Sequence, residues 1–236
     1  MINKIVETTR EAVKDIADGA TVLVSGFGEA GSPTDLVHAL IDLGVRDLIV
    51  VSNNAGNGHV GLAALIEQRR VRKVICSFPR SSNSEVFNEA YRRGEIELEV
   101  VPQGTLAERL RSAGAGIPAF YTATGVGTVI ARGKETRQFD GRTYILETAL
   151  HGDFALVKAA RADPIGNLTY NKTARNFGPV MCAAAKFTIV QVNEVVDLGA
   201  IDPEVVVTPS IFVDRVVQVR NPRHESDLIA AGATYP

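Results

Sequence analysis

The sequence lacks the cysteines for a disulfide framework and the basic excess of a nucleic-acid binder. Its 236 residues include two cysteines, Cys76 and Cys182, with no CxxC pair and no Cys/His cluster, so we expect neither a disulfide network nor a zinc site. The 25 basic and 27 acidic residues give a net charge of −2, which argues against nucleic acid as a partner.

Long apolar runs are also missing. No run reaches the roughly 18 residues of a membrane helix, so we expect no membrane partner. Charges interrupt the first fifteen residues where a signal peptide needs an apolar stretch, which favours a cytoplasmic protein. The four histidines are scattered without metal-ligand spacing, so no metal site is expected, and His38 should be partly exposed on its helix.

The first two-thirds of the chain alternates strand and helix patterns. Short apolar, β-branched runs predict strands at 21–24, 48–51, 71–76 and 97–101. Uniformly apolar strands suit a sheet that is buried on both faces, and strand–helix–strand repetition implies right-handed crossovers. The predicted fold is therefore α/β, with an open, mainly parallel, doubly wound sheet and helices on both faces.

Several residues mark predicted helix boundaries. Ser32 precedes Pro33 and stands three residues before Asp35, as an N-cap would, and Gly44 is a plausible stop for the same helix. Two further capping boxes are predicted, Thr105 with Glu108 and Ser82 with Glu85.

The remaining third of the chain has a different pattern. Two strand-like runs around Asp140-Gly141, within 134–147, predict a β-hairpin extension with a type I′ turn. Later strands are predicted at 154–157, 187–192 and 205–207. We interpret 1–220 as a single domain and 221–236 as a surface tail, whose helix-like end could also pack against a partner.

A glycine loop at residues 25–31 is the strongest local feature. It follows a predicted strand and opens a predicted helix, whose free N–H groups and positive dipole end favour an anion. A plain strand-to-helix turn is the alternative, but three glycines in six positions exceed what such a turn requires. A ligand-contacting loop is therefore favoured.

The same loop literally matches the dinucleotide-binding pattern G-x-G-x-x-G, which would indicate an NAD(P)-dependent oxidoreductase. That fold needs an acidic residue after the second strand for the ribose hydroxyls. Here the strand at 48–51 is followed by Ser-Asn-Asn-Ala-Gly, with no acid and no arginine. The dinucleotide interpretation is therefore the less favoured alternative.

Residues 18–33 resemble the signature that family I coenzyme A transferases carry in their first, or alpha, chain. Every fixed position of that signature fits except the first glycine of its Gly-Gly-Phe, which is Ser25 here. Serine should preserve the loop path if its φ is negative. Further segments match the family along nearly the whole chain, at 52–56, 101–109, 114–120, 166–170 and 174–179.

The resemblance implies an enzyme that moves CoA from succinyl-CoA to a 3-oxoacid, with 3-oxoadipate favoured and acetoacetate next. A glutamate of a Ser-Glu-Asn-Gly motif carries the CoA, and in the family this motif belongs to the second subunit. The nearest string here, Ser84-Glu85-Val86-Phe87, lacks the Asn-Gly and reads as the first turn of a helix. We therefore expect a partner B (beta) subunit, an α2β2 assembly, and coenzyme A thioester as substrate with no tightly bound cofactor. A non-catalytic CoA-binding module of the same fold is a further alternative.

The resemblance assigns Gln103 and the glycine loop to the site, while strand position and residue type suggest the other candidates. It places Gln103 near the reacting carbonyl as an oxyanion donor, although Gln103 could instead cap the loop before the helix at Thr105. Asn53 and Asn54 are expected either to bind substrate or to form a turn. Arg175 could bind a far carboxylate, while the run 69–73 could meet CoA phosphates or be a solvated connection. The CoA-binding loop comprises Ser25, Gly26, Phe27, Gly28, Glu29, Ala30 and Gly31.

Overall fold

The computed structural model describes residues 2–81 and 83–235. Its strands are β1 Ile5–Val6, β2 Thr21–Val24, β3 Leu48–Asn54, β4 Val71–Phe78, β5 Glu97–Val100, β6 Ala119–Thr122, β7 Thr136–Phe139, β8 Arg142–Thr148, β9 Gly152–Ala162, β10 Leu168–Thr169, β11 Ala185–Val195 and β12 Arg215–Gln218. Its α-helices are α1 Thr9–Val13, α2 Thr34–Leu43, α3 Gly61–Glu67, α4 Glu85–Arg92, α5 Gln103–Gly114, α6 Gly178–Ala184 and α7 Glu225–Ala230. Short 3₁₀ turns occur at Val129–Ala131, Lys172–Arg175, Pro203–Val205 and Ser210–Phe212.

The main sheet is doubly wound. Its strand order is β1-β12-β11-β9-β2-β3-β4-β5, with every neighbouring pair parallel, and β10 pairs antiparallel with β9. The chain builds outward from β2 to β5, then continues from β9 to β12 on the other side of β2. This reversal leaves a crevice at the carboxyl ends of β2 and β9. The predicted fold class is confirmed.

The sheet separates two hydrophobic cores. Helices α1 to α4 pack on one face, and α5 and α6 pack on the other. Successive strand residues point to opposite faces, so Val22 and Val24 enter the first core while Leu23 enters the second. No helix in the described ranges combines the length and apolar composition that crossing a membrane would require.

The predicted hairpin extension is confirmed. Strands β7 and β8 pair antiparallel, and β6 adds to β8 to complete a separate three-stranded sheet. Asp140 and Gly141 have φ values of 48° and 75°, which is the backbone that a type I′ turn requires at both central residues.

The predicted helix boundaries are partly wrong. Gly44 does end α2 in the left-handed conformation, but α2 begins at Thr34 without a side-chain cap. Ser32 donates its hydroxyl to Glu225 instead, at 3.0 Å. Thr105 lies inside α5, which already begins at Gln103. Ser82 lies outside the described residues.

Two strand predictions near the C-terminus are also corrected. Residues 205–207 are not a strand, since Val205 ends a 3₁₀ turn and the segment makes only an isolated bridge between Thr208 and Leu168. Pro203 and Pro209 flank the run and lack the N–H groups that a ladder needs. Strand β12 was missed, because its two valines lie between polar residues.

The segment after residue 220 folds back against α2. Most of its residues are exposed, as a surface tail predicts, but Glu225 is only 8% exposed. Its carboxylate accepts hydrogen bonds from Ser32 Oγ (3.0 Å) and Thr34 Oγ1 (3.2 Å), while burial raises its pKa. Gly61 leaves room for this carboxylate, which a Cβ at that position would overlap.

His38 belongs to the same contact, and the expectation that it is partly exposed is wrong. Its side chain is buried on α2, where Nε2 accepts the Gly61 N–H at 3.0 Å and Nδ1 lies 2.9 Å from Arg223 Nη1. Burial, with Arg223 adding, lowers the pKa of His38 to about 4 against the opposing effect of Asp35 and Asp42. Protonation would place N–H groups against both donors.

We predict that His38 makes stability pH-dependent. Because its folded pKa lies below its ordinary value of 6.5, its stabilisation is present above pH 6.5 and is lost as the pH falls towards 4. The loss is about 1.4 kcal/mol for each pH unit in that window. Urea denaturation at pH 7.5 and pH 5 should therefore show a larger decrease in the free energy of unfolding for the wild type than for His38→Gln. Equal losses would contradict the assignment.

Candidate active site

The glycine loop leaves β2 at the crevice between β2 and β9. Gly28 and Gly31 have φ values of 59° and 81°, which residues with a Cβ rarely adopt. A Cβ on Gly31 would also collide with the carbonyl oxygen of Ala174. By contrast, no atom of the described residues lies within 4 Å of the place a Cβ of Gly28 would take. The loop is therefore packed at Gly31 and open at Gly28.

Ser25, which departs from the family signature, closes the base of the loop. Its hydroxyl donates to the Gly31 carbonyl at 2.8 Å and accepts the Lys158 N–H at 3.2 Å. The side chain is 4% exposed, and its φ is not positive, so the condition for an unchanged loop path is met. The serine, which stands where the signature has glycine, thus makes one hydrogen bond within the loop and one to β9.

The tip of the loop is a turn that presents an aromatic ring. The Phe27 N–H donates to the Ala30 carbonyl at 3.0 Å, and the Phe27 side chain is 55% exposed. Glu29 is partly exposed, and its Oε1 lies 3.5 Å from His224 Nδ1 in the C-terminal segment. Contact between these loop residues and CoA stays a prediction.

Asn176 attaches the loop to a segment almost 150 residues away in the chain. Its Oδ1 accepts the N–H groups of Gly26 (3.1 Å) and Phe177 (2.7 Å), and its Nδ2 donates to the carbonyls of Ala30 (2.7 Å) and Thr173 (3.0 Å). The amide thereby uses both donors and both acceptor sites. Sequence reasoning did not assign Asn176 a role; its only signal was its place in a family motif.

A polar cluster gathers at the carboxyl ends of the next two strands. Asn53, at the end of β3, donates from Nδ2 to Gln103 Oε1 at 2.9 Å and to Ser77 Oγ at 3.2 Å. Ser77, at the end of β4, also donates to Gln103 Oε1. Asn53 Oδ1 faces the Gly28 N–H at 3.4 Å, which links this cluster to the glycine loop. Sequence reasoning did not identify Ser77.

Gln103 is held by one end of its amide. It is the first residue of α5, and its side chain bonds Asn53 and Ser77 rather than a backbone group of the loop before α5. Its carbonyl oxygen is occupied by Asn53 and Ser77, whereas no described residue accepts a hydrogen bond from Nε2. The exposed, oriented NH₂ group is a hydrogen-bond donor for a ligand oxygen.

Asn54 and the basic run have local partners. Asn54 Oδ1 accepts the Gly56 N–H at 2.7 Å, so the turn interpretation is confirmed and substrate contact stays a prediction. The basic run meets the amino end of β4, away from the crevice. Its side chains bind Glu95, the Gly44 carbonyl, the Asp47 carbonyl and Glu99, as a structural connection would.

Arg175, whose orientation the sequence left open, lies beside the loop. It lines a cleft of about 870 Å³ together with Phe27, Ala30 and Lys172. The cleft thus lies between the loop and the turn Lys172–Arg175, which Asn176 joins to the loop.

The start of α2 counts against the dinucleotide interpretation. In that fold the pyrophosphate binds the N-terminus of the first crossover helix. Here the Glu225 carboxylate binds Ser32 and Thr34 at this terminus, and Gln191 Oε1 accepts the Leu36 N–H at 3.1 Å. A carboxylate of the chain itself therefore lies at the terminus where that fold binds a pyrophosphate, and the Leu36 N–H already has an acceptor. Anion binding at the other N–H groups of this terminus stays a prediction.

Comparison with known proteins identifies relatives along most of the chain. A family model described as Coenzyme A transferase matches residues 6–219. The chain is 61% identical over 219 residues to the A subunit of 3-oxoadipate CoA-transferase from Pseudomonas putida, covering 93% of this chain and 95% of that one. It is 56% identical over 202 residues to the A subunit of succinyl-CoA:3-ketoacid coenzyme A transferase from Xanthomonas campestris pv. campestris (strain B100), covering 86% and 83%.

Solved structures share the fold at lower identity. An acyl-CoA transferase of Escherichia coli O157:H7 has a TM-score of 0.84 at 24% identity, covering 94% of this chain and 48% of that one. The chain thus spans about half the length of that transferase. A single-residue variant of the decarboxylase AibA/AibB has a TM-score of 0.82 at 24% identity, and the match covers 98% of this chain and 92% of that one. At these identities the matches establish the fold alone.

We predict that Asn176→Ala loosens the glycine loop. The change removes four hydrogen bonds and should lower the free energy of unfolding by about 1–3 kcal/mol. Hydrogen exchange should accelerate at the Gly26 amide. The control is Asn171→Ala in the same turn, because the Asn171 side chain is exposed and makes no hydrogen bond with a described residue. Equal protection in both variants would contradict the role of Asn176.

Proposed function

The chain belongs to the coenzyme A transferase family, as its motifs predicted, and we propose that it is the A (alpha) subunit of a 3-oxoacid CoA-transferase. The oriented NH₂ group of Gln103, for which no described residue is an acceptor, lies beside the glycine loop and carries this proposal. Relatives named as A subunits, at 61% and 56% identity over most of the chain, support it. We favour 3-oxoadipate as the acceptor, with acetoacetate next, and succinyl-CoA as the donor.

The proposed reaction proceeds through covalent intermediates on a partner glutamate. Its carboxylate attacks the thioester carbonyl, the CoA thiolate leaves, and an acyl-glutamyl anhydride forms. The thiolate then attacks the glutamyl carbonyl, which releases the acid and leaves a glutamyl-CoA thioester. The second acid reverses these steps. CoA is transferred as substrate, and no tightly bound cofactor is needed.

This chain supplies binding and electrostatic stabilisation to the reaction. Each attack turns a carbonyl oxygen into an oxyanion, and a fixed donor stabilises that charge more than it stabilises the ground state. Gln103 Nε2 is such a donor, because Asn53 and Ser77 hold its carbonyl end. In this proposal the exposed edge of the loop at Gly28 contacts the CoA thioester.

The nucleophile comes from a separate polypeptide. No Ser-Glu-Asn-Gly string occurs in the chain. Glu85, in the nearest string, lies in the first turn of α4, as predicted, and is exposed there. We therefore propose a B subunit that contributes the glutamate, in an α2β2 assembly.

Reconstitution tests the division of the site. The purified chain should transfer no CoA from succinyl-CoA to 3-oxoadipate or acetoacetate, and mixing with its B subunit should restore transfer. Borohydride trapping should label a glutamate of the B subunit only. Robust transfer by the chain alone would refute the two-subunit proposal. Binding of CoA by a reconstituted pair that transfers none would favour a non-catalytic module.

Substitution of Gln103 tests the oxyanion role. In the reconstituted pair, Gln103→Ala should lower kcat about 100- to 1000-fold, with a smaller effect on KM, because the donor acts in the transition state. Gln103→Glu, which replaces the NH₂ with an acceptor, should not restore the rate. The exposed Gln138 of β7 is the control, as Gln138→Ala should leave kcat unchanged. A rise in KM alone would mean that Gln103 only binds substrate.

A further inference from the structure

The cleft beside the glycine loop is lined by two cationic side chains to which the proposed function gives no role. Phe27 and Ala30 of the loop, with Tyr170 and Val207, give it apolar lining. The Tyr170 hydroxyl is occupied by Thr208 Oγ1 at 2.8 Å, so its ring is what remains for a ligand. Lys172 and Arg175 line the same cleft, and no acidic residue is among its lining residues.

The two cationic side chains belong to one short turn. Lys172 and Arg175 are the first and last residues of this four-residue 3₁₀ turn, and both line the cleft. Both are exposed, and neither side chain makes a hydrogen bond or ion pair within residues 2–81 and 83–235. Arg109 of α5, by contrast, is paired with Glu99 at 2.8 Å.

The turn is held in place at a conformational cost. Lys172 has a φ of 50°, a left-handed conformation that side chains with a Cβ disfavour. Asn176 bonds both the Thr173 carbonyl of the turn and the Ala30 carbonyl of the glycine loop. The position of the cations is therefore coupled to the loop rather than left to an independent surface segment.

We infer that Arg175, with Lys172 beside it, binds the far carboxylate of a dicarboxylic acyl substrate. The planar guanidinium fits a carboxylate through two parallel hydrogen bonds, and the apolar lining fits the methylenes that separate it from the reacting carboxyl group. This inference rests on the proposed function. It makes the cleft the determinant that selects dicarboxylic over monocarboxylic acids.

Matched substrates in the reconstituted pair test the inference. With a covalent CoA intermediate, kcat/KM for the acceptor reports only the second half-reaction. Arg175→Met should lower kcat/KM at least about tenfold for 3-oxoadipate. The value for 3-oxohexanoate, which has the same length without the far carboxylate, should not change. Arg175→Lys should retain part of the preference. The control is Arg92→Met, at an exposed arginine of α4.

Equilibrium binding provides an arm that needs no turnover. Calorimetry should show that Arg175→Met weakens the binding of adipate and succinate at least about tenfold. The binding of hexanoate and butyrate should not change. Equal weakening of diacids and monoacids would overturn the inference. A loss of affinity for CoA but not for 3′-dephospho-CoA would also overturn it, because Lys172 and Arg175 would then bind the 3′-phosphate of CoA. A wild-type pair that transfers no CoA would refute the proposed function, while the calorimetric result would still decide this inference.

Discussion

The parallel pairing of β2 with β9 is the constraint on which the site depends. Strand β2 starts one half of the sheet and β9 starts the other, so the connections after these neighbours run apart and leave a crevice at their carboxyl ends. The glycine loop leaves β2 at that point. Its Ser25 hydroxyl bonds the Lys158 N–H of β9, which ties the loop to both sides of the reversal.

The crevice collects polar groups from segments that are distant in the chain. Asn53 and Ser77 end adjacent strands, and Gln103 begins the helix after the following strand. Parallel strands bring these ends to one edge, where the three side chains share hydrogen bonds. The result is a fixed donor without a nucleophile. In the proposed function, a partner subunit adds the carboxylate, and the oriented Gln103 NH₂ group stabilises the oxyanion that forms.

Local patterns were predictable where local physics decides the structure. Asp140-Gly141 forms its turn because both residues tolerate positive φ, and Gly44 ends α2 for the same reason. Predictions failed where a distant group competes. Ser32 could cap α2, but the buried Glu225 carboxylate takes its hydroxyl. His38 seemed partly exposed on its helix, yet the C-terminal segment covers it, which no periodicity of α2 could indicate.

The sequence by itself determined the α/β class, the glycine loop, the family and the absence of the glutamate motif, because each depends on residue type and spacing along the chain. Only the tertiary structure decided which polar groups meet. It oriented Gln103 through Asn53 and Ser77, and it placed Asn176 across the glycine loop. Hydrogen bonds between residues 26 to 146 positions apart depend on strand order and register, which a single sequence does not encode locally.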